Sequence, residues 1–242
     1  MVELGVGKNM VRALRFWMLV SGVATVTRQG RYAVSRFGHE LLGPKGYDPF
    51  LEDRRTLWLL HWQFATHSQD PLFAWDYLLN RWPHPDLSRS QLVDAFTTET
   101  RNMLRPLSPV TLAQHLDTFI HTYVPTHSPK GEVQEDNLDS PLVELALVQR
   151  IGDWSIGTSN KREALYAFRR EPKPDISPAL FTYCLVDFWL RHRRTEKTLS
   201  FRDVSVAAGS PGRVFVLPEL HVRERLDSLQ KDMSASSTGR DT

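Results

Sequence analysis

A chain of 242 residues, 41% hydrophobic and 24% charged, has an ordinary globular composition, with room for one large or two to three small domains and a core that needs no covalent staples. Cys184 is the only cysteine, which excludes an intrachain disulfide and a thiolate zinc cluster and makes a reducing, cytoplasmic location the expectation. The formal net charge of +2 is small, so affinity for a polyanion has to come from local patches, and neither a membrane span nor a secretory leader is expected.

The chain opens with "LGVGKNMVRALRFWMLVSGVATVTRQGRYAVSRFGHELL", Leu4 to Leu42. "GVGKN" is not a phosphate-binding loop: that loop needs a glycine five places before the Gly-Lys pair and a Ser or Thr after it, and Val2 and Asn9 stand there. No nucleotide cofactor is indicated. Val11, Leu14, Trp17 and Met18 then fall on one helical stripe, with Lys8, Asn9, Arg12 and Arg15 on or near the other side. Gly22 suits the left-handed end of that helix, and "VATVT" and "RYAVS" read as two short strands joined across Arg28-Gln29-Gly30-Arg31. Ser35 can cap a further helix through Leu42, which Gly43-Pro44 stops.

Helix, strand, tight turn, strand is the order of a winged helix, and residues 1–45 are expected to form such a DNA-binding module. Its seven cations (Lys8, Arg12, Arg15, Arg28, Arg31, Arg36, Lys45) stand against Glu3 and Glu40, a local net of +5. Lys8, Asn9, Arg12 and Arg15 would face the major groove or its flanking phosphates, Arg28 and Arg31 would clamp the neighbouring backbone, and Arg36 would add to the same surface. The charges alone fit a solvated amphipathic helix beside a plain hairpin equally well; the wing order favours nucleic acid.

Residues 46–124 read as a helical domain. "DPFLEDRRTLWLLHWQFATH" is apolar around most of its circumference from Leu57 to Phe64, the pattern of a buried helix. Asp70-Pro71 opens the next helix, Ser88 with Gln91 another to about Leu104, and Ser108-Pro109 a last one with the stripe Leu112, Leu116, Phe119, Ile120, Tyr123. Residues 125–140 shift to Pro, Ser, Gly and acids and read as a linker or mobile loop. Residues 141–232 are expected to be a C-terminal α+β, winged-helix-like domain, with strands at "EALYAF" and "RVFVL", a helix opened by Ser177-Pro178 and a final helix after Pro218. The polar tail 233–242 is expected to be disordered. The fold class is therefore mainly α (α+β), with winged helix-turn-helix-like modules flanking a helical middle.

No H-E-x-x-H, G-x-S-x-G or ordered metal-ligand spacing occurs. The densest chemical candidate is "YDPFLEDRRTLWLLHW". Asp48, Glu52 and Asp53 can hold Mg²⁺ or Mn²⁺ beside a DNA phosphate, with Glu52 and Asp53 as the metal ligands, and His61 can relay a proton. The same residues also read structurally, as acids at a helix start and a core histidine.

The runs "ELGVGKNMVRALRFW", "DPFLEDRRTLWLLHW" and "SPGRVFVLPE", in that order and separation, resemble the SspB-like proteins of bacterial DNA phosphorothioation systems over Glu3 to about Leu229. The resemblance implies nicking of one strand of double-stranded DNA, so that a partner machinery can place sulfur in the backbone as a defence against phage. Its implied partners are an ATP-dependent sulfur-transfer protein and a cysteine desulfurase. Relatives carry a segment with aromatic, histidine and arginine residues ahead of "ELGVGKN", so the N-terminal module is expected to be incomplete. Two alternatives remain: a non-catalytic winged-helix regulator, binding an operator as a homodimer, and an adaptor that recruits the sulfur-transfer partner through the helical middle.

Overall fold

A computed structural model describes residues 7–67, 71–101, 106–125, 140–155 and 162–238. The chain divides into two compact units, 1–72 and 73–242. Residues 46–72 thus belong with the N-terminal segment, and both flanks of the 125–140 segment belong to the second unit.

In the first unit, α1 (Lys8–Val20) leads through Gly22, at φ +74°, into the antiparallel hairpin β1 (Ala24–Val26) and β2 (Tyr32–Val34). The turn closes through Thr27 N–H to Arg31 O at 2.8 Å and Gly30 N–H to Thr27 O at 2.9 Å. These elements lie where the sequence puts them. Ser35 then joins three parts: its hydroxyl donates to Gly22 O at 2.6 Å, accepts from Gly38 N–H at 2.9 Å, and so caps α2 (Arg36–Leu42). Gly38 is needed there, because a Cβ on it would lie 2.2 Å from Val23 O. The 43–53 loop leads to α3 (Arg54–Thr66), in which Leu57, Trp58, Leu60, Trp62, Phe64 and Ala65 are buried as its all-round apolar pattern predicts.

Among the described residues the apolar stripe of α1 is largely open: Leu14 is 46% and Met18 38% exposed, Val11 and Trp17 are half-buried, and Met10 and Phe16 are also exposed. Only near its C-terminal end is α1 seated, with Val20 buried and the Trp17 ring 5.1 Å from that of Phe64.

The second unit contains α4 (Phe73–Asn80), β3 (Asp86–Ser88), α5 (Arg89–Thr100), α6 (Pro109–Tyr123), a 3-10 turn at Pro141–Leu145, β4 (Val148–Ser155), β5 (Arg162–Phe168), α7 (Pro178–His192), α8 (Phe201–Val206), α9 (Pro211–Val214) and α10 (Glu219–Thr238). The strands form one antiparallel sheet in the order β3-β5-β4, with a register shift between Arg150 and Gly152. Trp75, Phe96, Phe119 and Tyr123 are buried, and the Trp75 indole N–H donates to the Tyr123 hydroxyl at 2.8 Å. Ser88, Ser108 and Ser177 cap α5, α6 and α7 as expected; Asp70, expected to cap α4, lies outside the described residues.

The sequence-based reading is corrected at two elements and extended at a third. Asp86–Ser88, inside a stretch read as helical, is a strand, because its backbone pairs with Leu165–Ala167 far along the chain. "RVFVL", read as a strand, begins in α9 and continues as a turn: Ser210 accepts from Arg213 N–H and Pro211 occupies the first helical position, so no strand forms there. Finally, α10 continues to Thr238, past Met233 where the tail was expected to start. The result is a mixed α+β fold.

Candidate nucleic-acid interface

The candidate DNA-facing residues all lie in the first unit. Lys8, Arg12 and Arg15 recur at helical spacing on one face of α1, with Asn9 to one side, and all four are exposed. Arg28 and Arg31 flank the tip of the hairpin and are exposed as well. Among the described residues none of Lys8, Arg12, Arg15, Arg28 and Arg31 is paired with a carboxylate. Arg36 differs: its Nε lies 2.6 Å from Glu40 Oε1 on the next turn of α2, and that carboxylate raises its pKa.

The helix and the hairpin meet through Tyr32, which the sequence reading did not single out. The Arg15 guanidinium lies over the Tyr32 ring, 5.4 Å from its centre. Tyr32 stands opposite Val26 in the strand register, and Val26, Tyr32 and Val34 are all about half exposed. The period-two alternation of "RYAVS" carried a signal for this, since it puts Tyr32 and Val34 on one face. The outcome is one unit carrying exposed cations on a helix and on a hairpin tip, with the Tyr32 ring against Arg15. Such an arrangement suits a phosphate backbone, where spaced cations displace condensed counterions.

The four candidate catalytic residues have different environments. Asp48 is 6% exposed; its Oδ1 accepts from Glu52 N–H at 2.9 Å and its Oδ2 from Asp53 N–H at 3.0 Å. Burial pushes the Asp48 carboxyl up, but its hydrogen bonds together, led by those from the Glu52 and Asp53 N–H groups, hold it below its usual value. These bonds fix a tight turn in which Leu51 takes a left-handed φ of 58°, unfavourable for a branched side chain. Asp53 caps α3: Oδ1 accepts from Arg55 N–H at 2.8 Å, and the Arg55 Nε lies 3.0 and 2.9 Å from its two oxygens. The Arg55 guanidinium is the main cause that lowers its pKa. His61 is fully buried in α3, its ring edge-on to Trp58 at 5.7 Å. Glu52 is exposed in the loop just before the Asp53 cap of α3, with no hydrogen bond to its carboxylate among the described residues.

Both oxygens of Asp48 and both of Asp53 accept hydrogen bonds, and among the described residues no group of three or more His, Cys, Asp or Glu is placed to hold a metal ion. Nor is any helix among those residues long and apolar enough to cross a membrane.

Comparison with known proteins adds a family and a fold. The whole chain, residues 1–242, matches the family model described as "Protein of unknown function (DUF4007)". A crystal structure of magnesium-bound SspB aligns with a TM-score of 0.80 at 23% identity, covering 96% of this chain and 68% of SspB. A second SspB crystal structure aligns with a TM-score of 0.76 at 24% identity, with the same coverage. At these identities the likeness is one of fold. No curated protein matches the chain.

Proposed function

Because the chain belongs to the DUF4007 family over its whole length and shares the SspB fold, we propose that it is the DNA-engaging component of a bacterial DNA phosphorothioation defence system. The observation that carries this reading is the set of exposed cations on α1 and the hairpin tip, without a carboxylate partner among the described residues, joined by the stacking of Arg15 on Tyr32. Lys8, Arg12, Arg15, Arg28 and Arg31 would contact phosphates of double-stranded DNA, with Asn9 placed for a base edge or a phosphate. A sulfur-transfer ATPase-like protein and a cysteine desulfurase are the partners this role requires, the cytoplasm is its location, and a homodimer would double the contact surface.

Nicking of one strand is the finer version of this proposal. It gains support from the magnesium bound in an SspB crystal. In this chain Asp48 and Asp53 hold the turn and the start of α3 through backbone and arginine hydrogen bonds, Glu52 is the exposed carboxylate of the set, and no catalytic step is placed on it. A regulator that leaves phosphodiesters intact is the competing reading.

One experiment separates them: supercoiled plasmid is incubated with the purified chain and Mg²⁺ or Mn²⁺, with EDTA as control. Metal-dependent open circles that disappear in Glu52→Ala support nicking. A gel shift without open circles leaves DNA binding alone, and plasmid that neither shifts nor opens overturns the proposal.

A further inference from the structure

The second unit carries a cleft that the DNA-facing surface does not use. It opens between β3, β5, α5 and α6 and encloses about 120 Å³. Its floor is apolar: Leu87, Leu92, Leu116 and Ile120 all line it and are buried. Its rim is polar: Arg89, Asp117, His121, Glu163 and Tyr166 surround the mouth.

Size limits the occupant. A cavity of roughly 150 Å³ lined by apolar side chains takes one benzene ring, so a cleft of about 120 Å³ has room below its rim for no more than one ring, with any substituent left outside the mouth. The rim sets its chemistry. Arg89 is held in place by Asp117, with Nε to Oδ1 and Nη2 to Oδ2 both at 3.1 Å. Glu163 accepts from the Ser90 N–H at 3.0 Å and the Ser90 hydroxyl at 2.6 Å, which anchors its carboxylate at the start of α5. Donors (Arg89, Tyr166) and acceptors (Asp117, Glu163) therefore sit around one apolar floor in fixed positions. An occupant with flat apolar faces and an edge carrying both donors and acceptors satisfies floor and rim together; a purely hydrocarbon ring leaves the rim unused, and a small anion leaves the floor unused.

We propose that this cleft binds a single-ring heterocycle of the pyrimidine-base type. Ala164, which faces the cleft beside Tyr166 on the same side of β5, leaves the space the ring fills. The ring can come from a free nucleoside or from an unstacked base of a nucleic-acid strand. The second source would deepen the DNA reading above, but binding of a free nucleoside does not depend on it.

The test uses the full chain and saturation-transfer NMR with calorimetry, with cytidine, thymidine and benzyl alcohol as separate probes and a short oligo-dT as a fourth. The expected result is nucleoside binding that is at least tenfold tighter than that of benzyl alcohol and at least tenfold weaker in Ala164→Leu, whose side chain fills the cleft. Glu163→Gln, checked for unchanged thermal stability, should weaken the nucleosides and not benzyl alcohol. Oligo-dT that displaces the nucleoside assigns the ring to a strand; oligo-dT that does not assigns it to a free metabolite, and either supports the proposal. No nucleoside binding, equal binding of benzyl alcohol, or binding indifferent to Ala164→Leu overturns it. A parent chain that binds no plasmid but still binds the nucleosides would sink the DNA reading and leave the cleft standing.

Discussion

Arg15 on α1 and Tyr32 on β2 are in face-on contact, the guanidinium 5.4 Å from the ring centre. The helix and the hairpin are thereby tied on the side that bears the exposed cations. A cation over an exposed ring contributes about 0.5 to 1 kcal/mol, and its larger effect here is to hold Arg15 in one orientation. Tyr32→Phe keeps the ring and should leave DNA affinity within error of the parent. Tyr32→Ala should weaken it by about twofold to fivefold, and fluorescence anisotropy on a labelled duplex reads the difference. Equal loss in both variants would mean that the hydroxyl, and not the stacking, matters.

Arg12 and Arg15 are expected to act through phosphates and not through sequence. Each phosphate contact contributes about 0.9 to the slope of log affinity against log salt. The double change Arg12→Ala with Arg15→Ala should therefore flatten that slope by about 1.8 and weaken random and specific duplexes alike. A salt titration of affinity from low to physiological ionic strength gives the slope directly. An unchanged slope would remove these two residues from the interface.

Gly38 is packed closely against the hairpin. A methyl group there would lie 2.2 Å from Val23 O and 2.9 Å from Val34 Cγ1, and the carbonyl belongs to backbone that Ser35 N–H already holds at 2.9 Å. The backbone has nowhere to move without breaking that bond. Gly38→Ala should cost about 3 kcal/mol or more by overpacking, seen as a lower midpoint in urea unfolding. Gly30→Ala makes an instructive contrast: it meets nothing within 4 Å, and its strain comes only from its φ of +73°.

Much of this fold was legible because its signals are local. Ser35, Ser88, Ser108 and Ser177 each accept a hydrogen bond from a backbone N–H three residues on, so the cap and the helix it starts are visible within one turn of sequence. Ser210-Pro211 carried the same signal, yet the apolar run that follows reads as a strand; Val214 and Phe215 are fully buried, and four helical residues are too few to show a helical period. Asp86–Ser88 could not be found locally, because what makes it a strand is its pairing with residues 165–167. The site followed the same division. Charge on α1 and the hairpin tip was visible in composition, whereas the Arg15–Tyr32 contact and the exposure of Leu14 and Met18 depend on how α1 is seated.

Asp48 supplies a prediction with a definite sign. Its folded carboxyl is held below the usual value by the Glu52 and Asp53 N–H groups, against the opposing effect of burial. A group with a depressed folded pKa stabilises the fold above the unfolded value, about 3.9 for aspartate, and loses that contribution as the pH falls through the lower, folded value. The first unit should therefore lose stability steeply in this acid range. Asp48→Asn cannot ionise and turns one acceptor oxygen into a donor facing an N–H group, so it should be less stable than the parent by about 2 kcal/mol at neutral pH. The gap should close as the pH falls and Asp48 itself becomes protonated. Urea unfolding of both proteins at neutral and acid pH measures this, and a gap independent of pH would show that the Asp48 charge does not hold the turn around Leu51.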